Sequence, residues 1–125
     1  MMINKRPKHL ALHLIKLPLP GIVSILHRIS GLLLFLALPM LLMMLQYSLR
    51  SIETYTQLQE VLTHPLAKLA LLGLLWAFMH HFCAGLRYLA VDLRYITNLA
   101  QARSSSKMVM VASLLLTALT GVKLW

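Results

Sequence analysis

Between Ile29 and Leu49 the chain runs for twenty-one residues without a charged side chain. As a helix rising 1.5 Å per residue this stretch reaches about 31 Å, the thickness of a bilayer's hydrocarbon core. A second apolar run, Leu66 to Gly85, carries Lys68 near one end, where its stem can snorkel to the surface. A third, Met108 to Leu124, reaches about 26 Å and has Lys123 at its tip. Composition agrees: 59% of the 125 residues are apolar and 12% charged, against about 25% charged in soluble domains. A water-soluble globule and a disordered tail are both excluded. The sequence therefore predicts an all-α integral membrane protein with three transmembrane helices in a single membrane-anchor domain, residues 1–125. Its predicted parts are an extended segment over 1–20, helices over 21–49 and 66–92, and a third helix over 105–125.

The twelve Lys and Arg stand against three acids, a formal charge of +9. This excess is no nucleic-acid signal, because it sits in the connections. Lys5, Arg6, Lys8, Lys16 and Arg28 precede or open the first span, and Arg87, Arg94, Arg103 and Lys107 lie between the second and third. The first connection has only Arg50 and Lys68, offset by Glu53 and Glu60. Basic residues mark the cytoplasmic side, so the N-terminus is expected inside and the C-terminus outside. One cysteine, Cys83, excludes an intramolecular disulfide. Charges and prolines in the first twenty positions fit neither a cleavable signal nor a transit peptide, which favours a bacterial inner membrane.

Pro18-Leu19-Pro20-Gly21 should keep any helix from starting earlier. Arg50 to Pro65 reads as an outer loop with a short amphipathic helix around Tyr55 to Leu62. Arg94 to Lys107 reads as an inner loop closed by Ser104-Ser105-Ser106 as a helix N-cap.

Ionisable residues within a bilayer are functional sites by default, since a central charge costs about 2.5–3.5 kcal/mol even on the mildest scale. Two clusters qualify. In Ser24-Ile25-Leu26-His27-Arg28-Ile29-Ser30-Gly31, Ser24 and Arg28 are four apart and share a helix face. A hydroxyl above a guanidinium aims two donors at one oxygen-bearing ligand; the plainer reading makes Arg28 a surface anchor. In the second cluster, Met79 to Asp92, the residues His81, Gly85, Tyr88 and Asp92 fall on one stripe, with His80 and Arg87 on a neighbouring face. An imidazole one turn from a glycine suits the edge of a flat macrocycle, and b-type haem uses such an imidazole with cations near its propionates. His81 thus outranks His80 as an axial ligand. The plainer alternative is a histidine bonded to a neighbouring helix. No Cys-x-x-Cys-His is present, which excludes covalent haem attachment. His9 and His13, His64, and the Met40, Met43, Met44 patch read as loop or packing residues. Thr117 and Gly121 suit helix packing, Trp76 the bundle interior and Trp125 the outer interface.

Arg6-Pro7, the Ser24 to Gly31 element, His81-x-x-x-Gly85-x-Arg87 and Asp92 together resemble the cytochrome b556 family of succinate dehydrogenase membrane anchors, over nearly the whole chain. The resemblance implies that His81 supplies one axial ligand of haem b, shared with a histidine of a second, smaller anchor subunit. It also implies that Ser24 and Arg28 bind the ubiquinone headgroup, with Asp92 near that site. His27, Arg28, Arg87 and Tyr88 would form the haem propionate environment. An iron–sulfur subunit and a flavoprotein subunit would dock on the cytoplasmic side, so this chain would serve an oxidoreductase without holding its flavin chemistry. Many relatives carry a histidine where this chain has Tyr88, a residue that donates a hydrogen bond but carries no positive charge near neutral pH. Three other readings stay open on the residues alone. One is a haem-free tether for soluble partners, another a small transporter with a buried ion relay. The third is the related haem b anchor of a fumarate reductase.

Overall fold

The computed structural model describes residues 16–124 and contains four helices: α1 (Leu19–Ser48), α2 (Ile52–Thr63), α3 (Pro65–Asp92) and α4 (Leu99–Leu124). Among the described residues there is no strand. Helices α1, α3 and α4 are each long and apolar enough to cross a membrane. The extended segment expected over 1–20 falls largely outside the described residues, as do Lys5, Arg6, Lys8, His9, His13 and Trp125.

Each helix end has a local cause. Pro18 caps α1 and Pro20 lies in its first turn, where the missing N–H has no intrahelical partner to lose. The helix therefore starts between the two prolines rather than after them. The connection after α1 is mostly helix α2, opened by a reciprocal cap in which Thr54 N–H donates to Ser51 Oγ and Ser51 N–H to Thr54 Oγ1, both at 3.1 Å. The expected start of the last helix needs correcting. Ser104, Ser105 and Ser106 lie inside α4, and the cap is Asn98, whose Oδ1 accepts from Gln101 N–H at 2.8 Å. Serine followed by Lys107 resembles a cap in sequence, but the asparagine eight residues upstream of Ser106 claims the role.

Helix α3 ends in a reversal of the same kind. Tyr95 N–H returns to Ala90 O and Arg94 N–H to Val91 O, with Arg94 in the left-handed region at φ 61°. This turn sends α4 back antiparallel to α3, placing Arg87 beside Ser105 and Leu72 beside Gly121.

The interior is small and polar. Val23, Ala77, Ala84 and Val109 are its buried apolar members, alongside Ser30, His80, Arg87, Ser106, Ser113 and Thr117. Large side chains such as Phe35, Met43, Phe82 and Leu119 face outward. A soluble protein would invert this arrangement. In lipid there is no hydrophobic gain from hiding leucine against leucine, so small residues that let backbones approach occupy the contacts. The buried stripe of α4, Ser106, Val109, Ser113, Thr117 and Gly121, is such a seam. Its hydroxyls bond to carbonyls of their own helix: Ser106 Oγ to Ala102 O and Thr117 Oγ1 to Ser113 O, both at 2.7 Å.

Candidate functional site

Residues three and four apart on a helix share a face, and in α1 that spacing puts His27, Ser30 and Gly31 together against α3. His81 meets them there. Its Nδ1 lies 3.1 Å from the His27 carbonyl and 3.3 Å from Ser30 Oγ, and Ser30 Oγ itself donates to the same carbonyl at 2.9 Å. With the serine proton committed, Nδ1 carries the imidazole proton and donates it to His27 O. That fixes the tautomer and leaves Nε2 with a free lone pair. No hydrogen bond holds Nε2 among the described residues.

Two further contacts fix the ring plane. The His27 and His81 rings stack with centroids 4.2 Å apart and planes 10° from parallel. Gly31 supplies the floor, since a Cβ there would stand 2.8 Å from His81 Cε1 and 3.3 Å from Nδ1. Only a residue without a side chain lets the imidazole lie so close to α1. Tyr88 closes the same side, its ring tilted against His27 at 5.1 Å with its hydroxyl buried and unpartnered.

Ser24, Arg87 and Tyr88 line a neighbouring cavity of about 570 Å³ between the start of α1 and the α3–α4 turn, together with Thr97 and Asn98. Arg87 is buried there, but it turns toward α4: Nε donates to Ser105 Oγ at 3.0 Å and Nη2 to Ala102 O at 3.4 Å. Arg28 and Asp92 are exposed and line neither this cavity nor the His27–His81 contact. So Ser24 and Arg28, which share a helix face, do not enclose a common space within this chain. Asp92 ends the stripe begun by His81, beyond the contact with α1.

His80 behaves unlike its neighbour. It is fully enclosed, neither ring nitrogen is hydrogen-bonded, and the Val23 backbone lies near without reaching bonding geometry. Its ring tilts against Trp76 at 5.4 Å, and the Trp76 Nε1 is unpartnered as well. Sequence reasoning put Trp76 in the bundle interior and His80 on a face beside that of His81 without foreseeing their contact, and it gave Ser30 no role. The available signals were the Ala77, His80, Ala84, Arg87 spacing, which marks a buried helix face, and the three-residue step from His27 to Ser30. Among the described residues no three His, Cys, Asp or Glu side chains gather to hold a metal ion. Among the described residues none joins His81 to complete a metal site.

Comparison with known proteins agrees along the length of the chain. The family described as succinate dehydrogenase/fumarate reductase transmembrane subunit matches residues 2–120. The succinate dehydrogenase cytochrome b556 subunit of Coxiella burnetii is 38% identical over 122 residues, covering 97% of this chain and 98% of the relative. The proteins of the same name from Rickettsia felis and Paracoccus denitrificans are 33% and 32% identical, covering 95% and 94% of this chain and 93% and 90% of theirs.

Proposed function

Because the chain belongs to the succinate dehydrogenase/fumarate reductase transmembrane subunit family, we propose that it holds haem b through His81 and forms part of a ubiquinone-reduction site. It is a multi-pass protein of the bacterial inner membrane. The observation that carries the proposal is the His81 imidazole. Haem-ligating histidines donate one ring N–H to a carbonyl or carboxylate and present the other nitrogen to the metal. His81 has that donor arrangement with His27 O. Gly31 and Gly85 make room for the His81 and His27 rings in the α1–α3 contact, and Nε2 of His81 is left without a hydrogen bond, so the residues present fit the group.

When bound, haem supplies a one-electron centre whose potential answers to its axial ligands, burial and hydrogen bonds. This chain's part is to hold and tune it. His81 would hold it through Nε2, with Ser30 and His27 O fixing the ring, and a histidine of a second, smaller anchor subunit would supply the other ligand. His27, Arg28 and Tyr88 would attract the propionates, whereas Arg87, expected to join them, turns to Ser105 and Ala102 on α4.

Ser24 and Arg28 donate to the ubiquinone oxygens, stabilising the negative charge that develops on reduction in a water-poor site. Arg28 is exposed in the isolated chain, so its side of the site is completed by a partner surface. Asp92, exposed at the same end, lies on the route by which protons reach the reduced quinone. The basic bias of that end supports an N-terminus in the cytoplasm and a C-terminus outside. The iron–sulfur and flavoprotein subunits dock on the cytoplasmic face and pass electrons from succinate.

The test is made on the assembled complex. His81→Leu loses the reduced-minus-oxidised haem b bands, whereas retention of the full spectrum refutes the ligand assignment. Arg28→Leu slows ubiquinone reduction while succinate oxidation by an artificial acceptor continues. Equal loss of both activities would mean failed assembly, and undiminished ubiquinone reduction in an assembled complex contradicts the quinone role.

A further inference from the structure

Among the described residues, Arg87 is the only Lys, Arg, Asp or Glu that is buried, at 8% exposure. Its partners are the Ser105 hydroxyl and the Ala102 carbonyl, bonded through hydrogen, and the Tyr88 ring, whose centroid lies 5.4 Å from the guanidinium carbon; none is an anion. These bonds use two of the five N–H groups of a guanidinium. A buried cation normally finds a counter-charge, because desolvation is otherwise uncompensated.

The surroundings indicate what kind of anion fits. On the outer seam of α3 and α4, away from the His27–His81 pair, Arg87 heads an open groove of about 330 Å³. Beyond the arginine and Ser105 its walls are apolar, among them Cys83, Leu86, Ala90, Met108 and Ala112. The groove runs from Arg87 toward the bilayer interior, since Cys83 lies one turn deeper on α3 and Met108 and Ala112 deeper on α4. Arg87 itself sits about 8 Å inside the Asp92 end of its helix, the depth of the headgroup boundary. Arg94, Arg103 and Lys107, all exposed, crowd the same end, where Asp92 is the one acid.

We propose that this groove binds one anionic phospholipid, with its phosphate on Arg87 beside Ala90 and an acyl chain along Cys83, Met108 and Ala112. Basic pockets between transmembrane helices recognise acidic headgroups in this way, and guanidinium-to-phosphate bonds are charge-assisted and strong. A free phosphate would satisfy the cation but leave the apolar length of the groove uncovered. The site requires neither haem nor quinone to be present.

The complex containing this chain is placed in phosphatidylcholine bilayers doped with spin-labelled phosphatidylglycerol or spin-labelled phosphatidylcholine, and the motionally restricted fraction of each is measured. The expected result is restriction of phosphatidylglycerol at least about threefold stronger than of phosphatidylcholine, unaffected by added inorganic phosphate. Arg87→Gln abolishes the selectivity. Because Arg87 also ties α3 to α4, Ala90→Phe serves as a second variant: it keeps the cation, blocks the groove, and is expected to reduce selectivity as well. Equal restriction of the two lipids overturns the proposal, as does selectivity that survives both variants. Displacement by inorganic phosphate overturns it in favour of a free-anion site. A partner-subunit carboxylate on Arg87 in a map of the complex overturns it in favour of an ion pair.

Discussion

The two faces of α3 carry adjacent histidines with opposite surroundings. On the α1 side, His81 is stacked, hydrogen-bonded through Nδ1 and left with an open Nε2. One residue round the helix, and also near α1 at the Val23 backbone, His80 is sealed within the chain with both nitrogens unpaired. The difference shows that residue type and membrane depth do not fix a histidine's surroundings. For His81 a neighbouring helix engages one nitrogen and leaves the other free. The α1–α3 seam provides this through His27, Ser30 and Gly31, whereas the α3–α4 seam is built of Ala, Ser, Thr and Gly and serves packing.

The largest test exchanges the two histidines. His81→Leu is expected to remove haem b entirely, and His80→Leu to leave its spectrum intact. The latter also removes two unpaired buried nitrogens, each worth about 1–3 kcal/mol of desolvation, so thermal unfolding of the complex should not begin earlier. Haem loss in His80→Leu would reverse the roles of the two faces.

Next comes Gly31→Ala. The added methyl meets a ring that cannot swing aside without giving up its bond to His27 O, at a cost of about 1–3 kcal/mol. Lower thermal stability and a displaced haem midpoint potential are expected together; a silent substitution would show that the ring is not seated on Gly31. Gly121→Ala makes the matching change on the α3–α4 seam. Its methyl approaches Leu72 Cδ1 at 3.1 Å, the tip of a flexible side chain, so a melting shift worth no more than about 1 kcal/mol is expected, with no change in potential.

The smallest effect concerns Arg94, held at φ 61° in the turn between α3 and α4. Arg94→Gly should stabilise by roughly 0.5 kcal/mol, the penalty of a left-handed residue less the greater unfolded freedom of glycine. Thermal unfolding checks it, and destabilisation would mean that the arginine side chain does more in that turn than its backbone costs.

Much of this was legible in the sequence, for identifiable reasons. An uncharged run from Ile29 to Leu49 has few alternatives to a membrane-spanning helix, and His27, Ser30 and Gly31 share a face by spacing alone. Periodicity could not say which face of α3 meets which neighbour. It placed His81 and His80 on different faces but not the enclosure of His80, and it paired Ser24 with Arg28 although only Ser24 borders a cavity in the chain. The start of α4 was misread because three serines and one asparagine are all good caps, and only the returning turn at Arg94 decides among them.

The most direct measurement is a map of the assembled complex at a resolution that shows the haem. His81 Nε2 should coordinate the iron while Nδ1 remains on the His27 carbonyl. An iron bound to His80, or a His81 ring turned to lipid with no porphyrin beside it, would contradict the assignment.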